Sequence, residues 1–180
     1  MSEVFDRRKL IEEKILKRDE NTLKILALIR EMVWNFLIHE RGYFEKDIEV
    51  DRNFEIGVNE VMTNTSVDYL ITLNGKRFIV IKCSPGAIES RERHLISFAR
   101  VVDPYQIPYA VVTDGIKARI LDAVSGKLVS EGLQSLPDRS RAIEILESTE
   151  FRPYPPERME REKRILLAFD AIKCTEESCE

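Results

Sequence analysis

Asp68 is the residue in this sequence whose position most needs a chemical explanation. It opens the run Val67-Asp68-Tyr69-Leu70-Ile71-Thr72-Leu73, which is otherwise apolar on both faces, and a bare carboxylate in such a run is costly. It must be paired with a cation, hydrogen-bonded or bound to a metal. A second apolar run, Arg77-Phe78-Ile79-Val80-Ile81, follows and leads directly to Lys82. Two chemistries follow from this placement: Asp68 as a metal ligand, or Asp68 and Lys82 neutralising each other inside a covered sheet. The other chemical signal is a local excess of positive charge. Lys76, Arg77, Lys82, Arg91, Arg93 and Arg100 stand against only Glu89 and Glu92, a surplus of +4 that suits phosphate contacts. Cys174 and Cys179 do not have zinc-site spacing, and there is no glycine-rich phosphate loop or nucleophile elbow.

The elements that position these residues are legible from local pattern. Asn74-Gly75 supplies the positive φ angles of a tight hairpin turn, and two-sided apolar strands place that hairpin in the middle of a sheet. Ser84-Pro85-Gly86 ends the second strand, and helical spacing returns from Ala87 to Val101. Tyr109 to Thr113 is a buried strand, and Lys117 to Asp122 alternates charge as an edge strand does. Strand, helix and strand in that order imply a right-handed crossover with parallel neighbours. Upstream, one amphipathic helix is predicted over 4–18 and a second from an Asn21 N-cap to about Glu40, ending at Gly42. Asp47 to Asp51 suits an outer strand, and 52–66 reads as a loop or a second short strand. Beyond Gly132, helices over 140–148 and 155–174 are expected on the outside of the core. The predicted organisation is a helix over 1–20, an α/β core over 21–132 with a mixed central sheet flanked by helices, and a helical extension over 133–180.

Composition narrows the partners. The chain has 180 residues, 33% of them charged, and a net charge of −4, so no global field draws it to nucleic acid and any such binding must be local. No apolar stretch has the length of a membrane span, the N-terminus lacks a signal-peptide pattern, and three cysteines form no paired framework. A cytoplasmic protein with reduced thiols and no organic cofactor is expected.

Between Glu31 and Gly126 the sequence resembles the N-terminal nuclease-like domain of type I restriction enzyme R subunits, within the PD-(D/E)xK nuclease superfamily. Glu31-Met32-Val33 with Gly42-Tyr43 and Ile48-Glu49-Val50 is similar to that family's opening helix and first strand. Val67-Asp68-Tyr69 with Asn74-Gly75-Lys76 resembles its Asp-bearing strand and turn, and Tyr109 to Gly115 its late strand ending in Thr-Asn-Gly.

The resemblance implies a restriction-endonuclease-like fold in which an Asp and a following Glu-x-Lys hold Mg²⁺ for phosphodiester hydrolysis. Here the Glu-x-Lys position falls on Lys82-Cys83-Ser84, and no Asp or Glu occurs from Gly75 to Ile88. The family's Gln-x-x-x-Tyr is matched by His94 to Phe98, with spacing kept and both polar groups changed. The favoured expectation is therefore a standalone relative that no longer cleaves and serves as a DNA-binding or assembly module, with a protein partner or a second copy as further partners. The competing expectation is a Mg²⁺-dependent endonuclease using Asp68, Lys82, Glu31 and a migrated Glu92 or Glu89, with Asp68 and Glu92 as metal ligands. Lys76, Arg77, Arg91, Arg93 and His94 are the candidate DNA contacts in either case.

Overall fold

The computed structural model of the chain describes residues 2–58 and 60–177, with side chains over 14–58 and 60–170. The side chains of Leu10, Ile11 and Cys174, and all of Cys179, lie outside the described residues.

The central hairpin organises the sheet. Asn74 and Gly75 take φ of 49° and 75°, the doubly positive turn that Asn-Gly favours, and join β2 (Val61–Leu73) to β3 (Lys76–Cys83). A bulge between Ile71 and Thr72 shifts the register, so that Tyr69 faces Ile81 while Leu73 faces Lys76. On one side β1 (Ile48–Val58) pairs antiparallel with β2 along nearly all its length. On the other, α2 (Glu89–Val101) crosses to β4 (Tyr109–Thr113), which lies parallel to β3. β5 (Ala118–Asp122) and β6 (Lys127–Glu131) follow antiparallel, so the spatial order of the strands repeats the chain order.

Alternation along the central strands feeds two cores. Ile79 and Ile81 join Tyr69, Ile71 and Phe78 under α1 (Ser2–Asn35) and the π-helical turn Phe36–Glu40, which contribute Ile29, Val33, Phe36 and Leu37. Val80, between those isoleucines, joins Leu70, Val112 and Leu121 under Leu95, Phe98 and Ala99 of α2. α3 (Arg139–Ser148) adds Ala142 and Leu146 to the first core, and α4 (Pro156–Glu177) adds Leu166 to the second.

Four expectations need correction. Asn21 does not cap a second helix: α1 runs unbroken from Ser2 to Asn35, and the Thr22 hydroxyl bonds back to the Arg18 carbonyl at 2.9 Å, as mid-helix threonines do. Residues 52–58 continue β1 and 61–66 begin β2, because β-branched Thr63 and Thr65 pair with Ile56 and Phe54 across a long hairpin. β5 is not an edge strand, since β6 pairs with it and Glu131 answers the charge of Arg119. The segment after Gly132 is not an outer addition, since both its helices deliver buried apolar side chains to the cores.

Candidate functional site

Asp68 lies near the start of the buried half of β2, and three groups from two elements meet its carboxylate. Its Oδ2 accepts the Cys83 backbone N–H at 2.8 Å and faces the Lys82 ammonium at 3.4 Å, both from β3. Its Oδ1 faces Nε of Arg30, from α1, also at 3.4 Å. The Lys82 ammonium further donates to the Ser66 carbonyl at 3.1 Å. Arg30 is held from both sides: the Tyr69 hydroxyl donates to its carbonyl at 2.8 Å, and its Nη2 donates to Oδ1 of Asp51 on β1. The pairs Val50 with Tyr69 and Arg52 with Val67 bracket Asp51 and Asp68, so the two residues stand across from each other on adjacent strands. Opposed like charges destabilise a strand pair, and the Arg30 guanidinium bridges them. Asp51 takes φ of 50°, a left-handed conformation that Asp tolerates better than most residues. Cys83, beside this cluster, is buried, and burial followed by the Asp68 charge pushes its thiol pKa well up, so it remains a neutral thiol.

Compared with known protein families, residues 27–137 match the model described as type I restriction enzyme R protein N terminus. The chain belongs to this family. Nothing matches it among curated proteins or among solved structures. The mixed six-stranded sheet with its flanking helices is an α/β fold consistent with the restriction-endonuclease-like core expected of a type I R protein N-terminal domain. Among the described residues no helix is long and apolar enough to cross a membrane.

A Mg²⁺ site of the kind the resemblance implies does not fit the donors around Asp68. Mg²⁺ takes an octahedron of oxygens at about 2.0–2.1 Å. Here one buried carboxylate already faces a guanidinium and an ammonium, and each like-charge pair about 4 Å apart costs roughly 4 kcal/mol at an effective dielectric near 20. The carboxylates proposed to complete the site are elsewhere. Glu31 is exposed on α1, and it is its neighbour Arg30 that turns toward Asp68. Glu92 pairs with Arg119 of β5, and Glu89 sits by the loop residues Ile116 and Lys117. Among the described residues no group of three or more His, Cys, Asp or Glu is placed to hold a metal.

The basic candidates are also largely occupied. Arg77 makes a two-pronged bond to Glu49, both arms at 3.0 Å, a third to Asp103 at 2.9 Å, and packs over Phe54. The Arg77 hydrogen bond is the main cause that lowers the Glu49 pKa. Arg93 is forked onto Glu162 of α4, with both arms at 2.8 Å. His94 is no surface contact: it is 2% exposed, its ring tilted against that of Phe169, with Asp170 at 3.4 Å and Thr65 at 3.5 Å. A charged helix exposes only one face, and His94 lies on the face that α4 covers. That leaves Lys76, exposed over Tyr105 and Phe151, and half-buried Arg91, which makes no ion pair among the described residues. Sequence reasoning missed Arg30, Asp51 and Glu162. The one available signal was Asp51 itself, a carboxylate in a strand pattern antiparallel to Asp68; the arginine of a mixed helix and the glutamate of a distant one carry none.

Proposed function

We propose that this chain is a non-cleaving member of its family that acts as a DNA-binding or assembly module. The observation that supports it is the Arg30 guanidinium standing between Asp51 and Asp68, a permanent charge where a nuclease would need a divalent ion. DNA is the partner suggested by the restriction enzyme from which the family takes its description. The assembly half of the reading draws on α1, whose Leu16, Leu23 and Leu28 are 60% or more exposed.

Plasmid nicking with Mg²⁺ or Mn²⁺ tests the loss of cleavage: neither the wild type nor Asp68→Ala should nick. Metal-dependent nicking that disappears in Asp68→Ala would overturn the proposal and favour the second reading, a nuclease with a rearranged site. That reading draws on Asp51, which β1 sets across from Asp68, and it requires Arg30 to leave when DNA arrives. Binding is measured with a duplex carrying 5′-hydroxyl ends across a salt series. Log affinity should fall linearly with log salt, with a slope of about −0.9 for each phosphate neutralised.

A further inference from the structure

A concentration of positive charge lies away from Asp68, in a cavity of about 520 Å³ where the start of α4 meets α2. Four arginines line it, Arg93 and Arg100 from α2 and Arg158 and Arg161 from α4, together with Tyr154 and Glu162. Glu162 is 2% exposed and forms the floor. It accepts both arms of Arg93, one arm of Arg100 at 3.2 Å, the Ser97 hydroxyl at 2.8 Å and the Tyr154 hydroxyl at 2.9 Å. The Nε and Nη2 of Arg100 donate to the Ala123 and Val124 carbonyls, and its guanidinium lies 5.3 Å from the Tyr154 ring centre. One carboxylate thus fixes two guanidinium groups, and the lining keeps a surplus of three positive charges. Arg158 and Arg161 are exposed at the rim and make no ion pair among the described residues. Glu157 and Glu160 of the same helix do not line the cavity.

We propose that this cavity binds the phosphate group of a nucleotide, free or at the end of a nucleic-acid strand. Guanidinium groups match the oxygens of a phosphate in pairs, and pre-fixed ones lose little freedom on binding. The volume falls within the usual span of small-ligand sites, about 300–1,000 Å³, larger than a lone inorganic anion needs. Arg93 and Arg100 supply a rigid positive wall, and Arg158 and Arg161 close on the phosphate from the rim.

Calorimetric titration of the full chain with a nucleoside diphosphate, and separately with inorganic pyrophosphate, tests this against the double variant Arg158→Ala/Arg161→Ala. Both substitutions are at exposed positions, so the thermal midpoint should not move. Saturable binding that weakens at least tenfold in the double variant is expected. Competition by a 5′-phosphorylated single strand but not by its 5′-hydroxyl twin assigns the site to strand ends; competition by neither assigns it to free nucleotides. No saturable binding of either probe, or equal affinity in the double variant, overturns the proposal. Duplex binding stands or falls separately, because a duplex with 5′-hydroxyl ends offers no terminal phosphate.

Discussion

Asp68 and Glu162 are both buried carboxylates with two cationic side chains against them, yet the two clusters are built to different balances. Around Asp68 the charges close: Arg30 and Lys82 answer Asp51 and Asp68, with cation-to-oxygen distances of 3.4 Å to Asp68. Around Glu162 they do not close, since one carboxylate shares the cavity with four arginines, two of them paired to it, and its hydrogen bonds are more numerous. A balanced cluster has nothing left to offer a ligand, whereas an unbalanced one that is rigid at its floor and open at its rim does. On the proposed reading, the region that resembles a nuclease centre is the charge-balanced one, and the extension that looked peripheral adds two arginines, Arg158 and Arg161, with no ion pair among the described residues.

The largest expected effect comes from removing the floor of the unbalanced cluster. Glu162→Ala leaves Arg93 and Arg100 facing each other without a counter-charge, and should cost about 3 kcal/mol in urea unfolding, the lower end of the range for breaking a buried pair because Arg93 keeps some solvent. A loss below 1 kcal/mol would mean the arginines simply relax into solvent, which would erase the distinction between the clusters.

The next effect is on acid stability. Burial alone would raise the Glu162 pKa, but hydrogen bonds from Arg93, Ser97 and Tyr154 outweigh it and hold the carboxyl at about 2, against 4.5 for an ordinary glutamate. A depressed folded-state pKa contributes stability that is fully present above about pH 4.5 and is lost as pH falls towards 2. The contribution is about 2–3 kcal/mol. Urea midpoints of wild type and Glu162→Gln at pH 7 and near pH 3 should converge in acid; parallel curves would place the acid sensitivity elsewhere.

The smallest effect belongs to the balanced cluster. Arg30→Met should cost only about 1–2 kcal/mol, since Asp68 keeps Lys82 and the Cys83 N–H. It should also uncover Asp51 and Asp68 to each other, so that Mn²⁺ raises the thermal midpoint of this variant, leaves the wild type unmoved and fails to stabilise Arg30→Met/Asp51→Asn. If Mn²⁺ stabilises none of them, the carboxylates are too far apart to share an ion and Arg30 is not the plug of a latent metal site.

Much of the sheet was legible because its signals are local. The backbone demand of Asn74-Gly75 and the two-sided apolar runs follow from residues within a few positions of each other, and the parallel pairing of β3 with β4 follows from the order strand, helix, strand. The site was half legible. A carboxylate in a covered strand has to find a cation, and Lys82 was within reach of the hairpin. Arg30 drew no notice and Arg77 stood as a DNA contact because their partners, Asp51 and Asp68 for one, Glu49 and Asp103 for the other, lie 21 residues or more away in sequence and are brought close only by folding. His94 looked exposed because the helix that covers it comes some 70 residues later.

By itself, the sequence determined the central strands, the turn, the crossover and the absence of any acidic side chain from Gly75 to Ile88, since each is a matter of residue types and their order along the chain. Tertiary packing decided which charges are spent on one another and which remain free for a ligand. Charge balance is a property of positions in space, and the arginines of one helix meet their carboxylates only where strands and helices from distant parts of the chain come together.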